Sequence, residues 1–250
     1  MKLAIMQPYF LPYIGYFQLI QAVDKFVIYD DVNFINRGWI NRNNLLIGGN
    51  KQLFTIPLVD ASQNKLINEI AIVGEYQWKL KLLKKVEHAY RKAPFFEPIY
   101  ALFCGLMNAG MHKIADLNVL AIRKICEYLE IKTEIVPTSE LFNNRHLKSQ
   151  HRILDICIQE KIDTYINPIG GMELYDQHLF REHHIEIYFI KSIEVPYPHI
   201  TGKYLPWLSV LDVLMHVHKS ELQAHLNNFQ LIQQKNEPER NLKGSICAER

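Results

Sequence analysis

The sequence predicts an α/β fold, with a Rossmann-like, mainly parallel sheet, a helical insertion and C-terminal helices. Short apolar segments of strand length alternate with segments of helical periodicity at both ends of the chain. Between them, residues 75–130 show helical spacing throughout. Because right-handed crossovers place such strands in one parallel sheet, we expect a single α/β domain over residues 1–233, with a helical insertion at about 75–130.

The first half of the chain opens as strand, helix and strand, and the glycine pair at Gly48-Gly49 is typical of a helix end. In order, the predicted elements are strand 2–6, helix 12–23, strand 25–29, helix 38–46 and paired strands 52–59 and 67–73. Pro94 and Gly110 separate the three helices of the insertion, at 75–92, 95–107 and 113–130.

The second half resumes the alternating pattern. The predicted elements are strand 132–136, helix 147–160, strand 164–166, helix 172–183, strand 185–190 and an apolar helix after Trp207. Residues 234–250 are rich in amide and charged side chains, which predicts a frayed tail.

Composition excludes several classes of protein. Among 250 residues, 28 basic and 26 acidic side chains give a net charge of +2, which fits neither a disordered chain nor a strongly basic nucleic-acid scaffold. The N-terminal apolar run ends at Gln7-Pro8, too early for a signal peptide or membrane span, so we expect a cytoplasmic protein without membrane insertion. The four cysteines form no CxxC pair and are expected to be reduced. The eleven histidines form no HExxH or HxxxH motif, so we expect no metal site and no tightly bound cofactor.

The first candidate binding segment is residues 7–16, between the first strand and its helix. Free amides and the dipole at a helix N-terminus favour an anion at this position. A glycine in this segment allows another group to approach the backbone closely. A side chain one helical turn later lies on the same helix face as that glycine. The candidates are Gln7, Tyr9, Tyr13, Gly15 and Gln18. Alternatively, the prolines and tyrosines only shape the turn.

The second candidate segment, residues 30–43, follows the second strand. Asp30 and Asp31 can bind hydroxyls or an amine, Arg37 and Arg42 suit phosphate or carboxylate, and Trp39 offers a stacking face. The asparagines add hydrogen-bonding groups, with Asn33 and Asn41 as candidates. The alternative is a solvated loop with a helix cap.

Two further segments are candidates, one with a glycine pair and one with a stripe of polar residues along a helix. Gly170 and Gly171, with Tyr175 nearby, lie at a strand-to-helix junction that either brings amides to a ligand or forms a tight turn. In the apolar helix after residue 207, three polar residues recur on one face, and basic and titratable groups precede them. The polar residues on one face are Ser209, Asp212 and His216, and the groups that precede them are His199 and Lys203.

Together these segments resemble the WbqC-like family, bacterial proteins encoded among genes for O-antigen and other surface polysaccharides. The match lies in MQPYFLPYIGYFQLI (6–20), YDDVNFINRGWINRN (29–43), the NPIGG turn with Tyr175 and TGKYLPWLSVLDVL (201–214), and spans about residues 1–220. The resemblance implies a role in making a nucleotide-linked sugar, with aminoacyl (glycyl) transfer to an amino sugar as the leading suggestion.

A second likeness is to the opening of the HIGH-motif nucleotidyltransferase and pantothenate synthetase superfamily, whose members activate a carboxylate with ATP. It rests on the layout of strand, loop, Tyr13-Ile14-Gly15-Tyr16, helix and strand. Tyrosines stand where that superfamily has its two histidines, so the imidazoles that stabilise the transferring phosphate are missing here.

The primary hypothesis is a transferase or ATP-dependent amide ligase that attaches an amino-acid acyl group to the amine of a dTDP-type nucleotide-linked 4-amino-4,6-dideoxy sugar. ATP with Mg²⁺ and charged tRNA are the alternative sources of activated acyl group. Asp30, Asp31, His199 and Asp212 are the candidate catalytic residues. The rival hypothesis is a non-catalytic nucleotide-sugar or carbohydrate binding protein that scaffolds polysaccharide assembly.

Overall fold

The computed structural model describes residues 1–234 and is built on a six-stranded sheet. Residues 235–250, most of the predicted tail, lie outside the described part of the chain. The strands of this sheet are β1 (Lys2–Met6), β2 (Lys25–Ile28), β5 (Glu134–Val136), β6 (Thr164–Pro168), β7 (Glu186–Ser192) and β8 (Phe229–Ile232). Strands β3 (Arg42–Ile47) and β4 (Asn50–Thr55) form a separate hairpin.

The sheet order is β5-β2-β1-β6-β7-β8, parallel except for β8, which runs antiparallel to β7. Counted along the chain, the six strands have the order 3-2-1-4-5-6 of the Rossmann fold, as the sequence predicted. The order reverses between β1 and β6, where Leu3 is paired with Tyr165. Open sheets bind ligands outside the carboxyl ends of the strands at such a switch point, so the fold directs attention there.

The helices are α1 (Ile14–Gln21), α2 (Tyr76–Tyr90), α3 (Phe96–Asn108), α4 (Ile114–Tyr128), α5 (Ser149–Gln159), α6 (Gln177–Arg181), α7 (Val210–His216) and α8 (Leu222–Leu226). Helices α5 and α6 contribute Ile156 and Phe180 to a buried cluster on one face of the sheet. On the other face, Phe17 of α1 and Leu214 of α7 belong to one core with Ile122 of the insertion. The predicted insertion helices are therefore present as α2–α4, and they share the core of the sheet.

One predicted element was wrong. Residues 38–46 form no helix, and strand β3 begins at Arg42. The Gly48-Gly49 pair, read as a helix end, joins β3 to β4 with φ of 58° and 77°, the positive values that a tight two-residue hairpin turn requires at both positions.

Two other predictions were right in part. Strand β4 overlaps the predicted strand 52–59 but pairs with β3, whereas residues 67–73 form a short 3-10 turn and two isolated bridges, Leu58 with Ile72 and Ala71 with Lys113. The predicted helix 172–183 is divided into a 3-10 segment, Ile169–Leu174, and helix α6. Asp176 causes the division by accepting a hydrogen bond from the backbone of His178 as the N-cap of α6.

Among residues 1–234, no helix has the length and apolar character needed to cross a membrane.

Candidate functional site

A crevice of about 320 Å³ opens at the switch point, at the carboxyl ends of β1, β2 and β6. Its polar lining consists of amide and hydroxyl side chains, and within residues 1–234 no carboxylate or imidazole lines it. We call it the switch-point crevice; its lining residues are Ile5, Met6, Gln7, Tyr9, Tyr29, Ile35, Ser149, Gln150, Ile153, Asn167, Leu174 and Tyr175. Neutral donors and acceptors of this kind suit a ligand with several hydroxyl groups.

The amide of Asn167 is fixed at the floor of this crevice. Its oxygen accepts hydrogen bonds from the hydroxyls of Tyr165 (3.1 Å) and Tyr175 (3.4 Å). A Cβ on Gly171 would lie 2.2 Å from the amide nitrogen of Asn167, so only glycine leaves room for that amide. The predicted glycine therefore makes space for a protein side chain at the crevice.

Gln7 lines the crevice, and its side chain carries an acceptor that the described residues do not use. Its side-chain oxygen is buried and has no hydrogen-bond partner among residues 1–234. A buried acceptor without a partner costs free energy, on the order of 1–3 kcal/mol. A ligand donor or an ordered water at this position would remove that cost.

A second cavity, of about 270 Å³, adjoins the crevice across Tyr9. We call it the aromatic pocket; it is lined by Tyr9, Pro12, Tyr13, Trp39, Asn43 and Trp207. The rings of Tyr13 and Trp207 meet edge to face, 5.1 Å apart. Burial raises the pKa of Tyr9 and of Tyr13, so both phenols keep their protons at neutral pH.

Gly15 makes the aromatic pocket possible. A Cβ at this position would lie 2.2 Å from a ring carbon of Tyr13 and 2.8 Å from the hydroxyl of Ser192. The close approach expected at Gly15 is therefore made by the Tyr13 ring, which lies on the first turn of α1 and reaches Trp207.

Two guanidinium groups lie in the turn that separates the cavities. Ile35 lines the crevice and Trp39 lines the aromatic pocket, so Arg37 lies between them in the chain. Arg42 donates from Nε to the carbonyl of Gly38 (2.9 Å) and from Nη2 to that of Arg37, and its guanidinium lies 5.8 Å from the centre of the Trp39 ring. Arg42 therefore places positive charge beside Trp39 of the aromatic pocket, although the side chains of Arg37 and Arg42 line neither cavity.

The loop that carries Tyr9 and Tyr13 is held by side chains from three distant parts of the chain. Asn118 of α4 donates to the carbonyl of Pro8 (2.9 Å), and Asn43 of β3 to that of Leu11 (2.6 Å). Ser209 also donates to Leu11, at 2.9 Å. Leu11 has a φ of 47°, unusual for a leucine, so these bonds hold a strained loop in one shape.

Asp30 and Asp31 lie in a buried network behind the crevice. Arg152 of α5 donates to both carboxylate oxygens of Asp31, each at 2.6 Å, with the two side chains 5% and 1% exposed. One oxygen of Asp30 accepts from the hydroxyl of Thr138 (2.8 Å) and the backbone of Ser139 (3.1 Å). Burial raises the pKa of Asp30. Neither carboxylate lines the crevice.

His199, Asp212 and His216 form a second buried cluster, with each side chain 1% exposed. Asp212 accepts hydrogen bonds from Tyr90 (2.8 Å) and Tyr197 (2.6 Å), and its carboxylate lies 3.3 Å from Nε2 of His199. The backbone N–H of residue 201 donates to Nδ1 of His199, which places the proton of a neutral ring on Nε2, facing Asp212. The two imidazoles stack 3.9 Å apart, and burial lowers the pKa of His216.

The other predicted site residues are dispersed. Gln18 is buried and donates to the carbonyls of His225 and Asn228, and Asn41 donates to Ile56. The remaining three, Asn33, Gly170 and Lys203, line neither cavity.

The cavities also contain residues that the sequence analysis missed. Trp207 is the clearest; the others are Pro12, Tyr29, Asn43, Ser149, Gln150 and Asn167. The aromatic content of segment 201–214 was the signal that pointed to Trp207.

Comparisons with known proteins agree on one family. The model of the WbqC-like protein family matches residues 7–224. The chain is 29% identical over 221 residues to the uncharacterized protein Rv1507c of Mycobacterium tuberculosis, covering 86% of this chain and 94% of that protein. No solved structure matches.

Proposed function

The chain belongs to the WbqC-like protein family, and on that basis we propose that it transfers an amino-acid acyl group to the amine of a nucleotide-linked 4-amino-4,6-dideoxy sugar. The observation that carries the proposal is the polar, carboxylate-free crevice at the Rossmann switch point. The family resemblance supports the choice of substrate, and the crevice supports a neutral, hydroxyl-bearing ligand.

The crevice offers hydrogen-bonding groups fixed on rigid elements. Asn167 closes strand β6, Gln7 follows β1, and Ser149 and Gln150 open helix α5. Amides and hydroxyls at several angles recognise a sugar by the direction of its hydroxyls. Tyr29 and Tyr175 add two phenols, with Tyr175 bonded to Tyr165 at 3.0 Å.

In the proposed reaction the amine nitrogen of the sugar attacks the carbonyl carbon of an activated amino acid. A C–N bond forms, the bond to the activating oxygen breaks, and the oxygen leaves as adenylate phosphate or tRNA ribose hydroxyl. The ammonium loses its proton to water or to the leaving oxygen. The protein contributes chiefly by holding the two reactants together, since orientation alone can supply on the order of 7–11 kcal/mol of the barrier.

This proposal assigns positioning roles to the four residues that the sequence marked as catalytic. Asp31 fixes the loop after β2 through Arg152, and Asp30 binds the segment at Thr138. Asp212 and His199 hold the irregular segment 193–209, which carries Trp207 to the aromatic pocket. ATP with Mg²⁺ or a charged tRNA would activate the acyl group.

The test is mass spectrometry of the nucleotide-linked sugar after incubation with the purified protein, glycine and either ATP with Mg²⁺ or glycyl-tRNA. We expect the sugar to gain the mass of one glycyl residue with one of these two acyl donors. Gln7→Ala should lower the rate about tenfold, because it removes the unused acceptor of the crevice. The matched change at exposed Gln77 of α2 should have no effect. No mass gain with either donor would refute the proposal.

A non-catalytic nucleotide-sugar binding protein is the second candidate, and the absence of carboxylate and imidazole groups from the crevice lining favours it. Calorimetry separates the two candidates. Stoichiometric binding of the nucleotide-linked sugar without transfer from either donor would support the binding protein.

A further inference from the structure

The aromatic pocket differs in chemistry from the crevice beside it. Four of its six lining residues are Tyr9, Tyr13, Trp39 and Trp207. The amide that residues 1–234 contribute to the lining, on Asn43, is already used, because it donates to the carbonyl of Leu11 (2.6 Å) and accepts from the backbone of Asn44 (2.8 Å). The pocket therefore offers ring faces and two phenol hydroxyls to a ligand.

The free groups of the pocket are the hydroxyls of Tyr9 and Tyr13, neither of which has a hydrogen-bond partner within residues 1–234. A sugar ring needs several fixed donors and acceptors, whereas a nucleobase binds through its flat face and tolerates a pocket with few polar groups. The lining thus favours a base over a sugar.

The charged residues around the aromatic pocket exclude a cationic ligand and favour a phosphorylated one. No carboxylate from the described part of the chain lines the pocket, and the sequence has no acidic residue between residues 33 and 51. The guanidinium of Arg42 already lies beside the Trp39 ring, so a second cation there would be repelled. Arg37 is exposed and makes no ion pair among the described residues, which leaves its planar fork available to a phosphate.

The order of groups along the turn matches the order of groups in a sugar nucleotide. Ile35 lines the crevice, Trp39 lines the aromatic pocket, and Arg37 lies between them, with Tyr9 as the wall that the two cavities share. A sugar in the crevice and a base in the pocket would place the diphosphate over this wall, beside Arg37 and Arg42.

We propose that the aromatic pocket binds the nucleoside end of the nucleotide-linked substrate by stacking, with the diphosphate on Arg37 and Arg42. The inference rests on the proposed function for the identity of the sugar at the other end. Because the lining has no free amide or carboxylate to read the edge of a base, the site accepts different nucleobases with similar affinity, and the crevice discriminates between sugars.

Intrinsic fluorescence tests the inference directly. The chain has three tryptophans, and Trp78 of α2 lies outside both cavities, its indole N–H bonded to the carbonyl of Val73. In a Trp78→Phe protein, Trp39 and Trp207 are the only tryptophans. We expect dTDP, UDP, GDP and ADP to quench this fluorescence, with dissociation constants within about tenfold of one another, since stacking is tolerant of base identity.

Variants in the original sequence locate the two ends of the ligand. By calorimetry, Trp39→Ala and Trp207→Ala should each weaken dTDP binding about tenfold. Arg37→Ala and Arg42→Ala should weaken dTDP binding but leave thymidine binding unchanged. Both tryptophans are half exposed, at 44% and 52%, so their removal leaves the core intact. Tyr76→Ala, which removes an exposed aromatic ring from α2, is the control and should bind dTDP normally.

Three results would overturn the inference: no quenching by any nucleoside diphosphate, unchanged dTDP affinity in both tryptophan variants, or one nucleotide preferred more than about a hundredfold. The outcomes also separate this inference from the proposed function. Base-tolerant dTDP binding without acyl transfer would retain the inference and refute the transferase. Acyl transfer at a normal rate and KM in the two tryptophan variants would support the transferase and refute the inference.

Discussion

The amide of Asn118, on helix α4 of the insertion, donates hydrogen bonds to the carbonyl of Pro8 (2.9 Å) and to that of Ile40 (2.8 Å). Asn118 is completely buried. One side chain thus joins the loop after β1 to the turn that carries Trp39, and the insertion directly supports the site. The helices α2–α4 therefore act as part of the binding scaffold.

Replacing Asn118 by Ala should destabilise the protein and loosen the site. The two loop carbonyls would be left buried without a donor, at a cost of about 1–3 kcal/mol each. We expect a lower urea midpoint with an unchanged slope, and weaker binding of dTDP. Asn108→Ala, at the exposed end of α3, is the control and should leave the midpoint in place. Equal midpoints for the two variants would show that the bonds do not contribute.

Removing Arg152 tests whether Asp31 has a structural role. The bidentate ion pair is 5% and 1% exposed, and removal of one partner leaves a buried charge uncompensated, which costs about 3–5 kcal/mol. Arg152→Met should therefore lower the free energy of unfolding strongly. Lys124→Ala, which breaks an exposed pair with Glu127 on α4, should leave it nearly unchanged because solvent screens that pair. A folded, stable Arg152→Met protein without activity would instead point to a catalytic role for Asp31.

Gly15→Ala should disturb the aromatic pocket while the sheet stays intact. The new Cβ would lie 2.2 Å from the ring of Tyr13, so the ring must move away from Trp207 at a cost of about 1–3 kcal/mol. We expect weaker quenching of tryptophan fluorescence by dTDP. Gly105→Ala is the matched control, because a Cβ there meets nothing within 4 Å and alanine should stabilise α3 by about 1 kcal/mol. A Gly15→Ala protein with normal stability and quenching would contradict the prediction.

Acidification should destabilise the protein partly through His216. Burial lowers the pKa of this imidazole below its ordinary value of 6.5, against the opposing effect of Asp212. The unfolded chain therefore binds a proton at a higher pH than the folded chain does. The contribution to stability is fully present above pH 6.5 and is lost as the pH falls through the lowered pKa.

Chemical denaturation at pH 7.5 and at pH 5.5 measures this effect. The wild type should lose stability between the two values, and His216→Gln should lose less. His88→Gln, which removes an exposed imidazole from α2, is the control and should behave as the wild type. An equal loss of stability in the wild type and in His216→Gln would exclude His216 as a source of the pH dependence.

Sequence patterns identified the segments of the site better than the roles of its residues. The polar stripe of Ser209, Asp212 and His216 does lie on one helix face, as its spacing predicted. Its members face the protein interior: Ser209 holds Leu11, and Asp212 accepts hydrogen bonds from Tyr90 and Tyr197. Spacing along a helix tells which side chains share a face, but the partners of that face come from other elements and have no signature in the local sequence.

The sequence by itself determined the alternation of strands and helices, the helical insertion and the four segments that converge on the two cavities. These features depend on local periodicity and on the rule that parallel strands are joined by right-handed crossovers. Only the tertiary structure decided that Asp31 is paired with Arg152 and that Trp207 meets Tyr13. Contacts between residues more than a hundred positions apart depend on the packing of the whole chain, which local sequence does not encode.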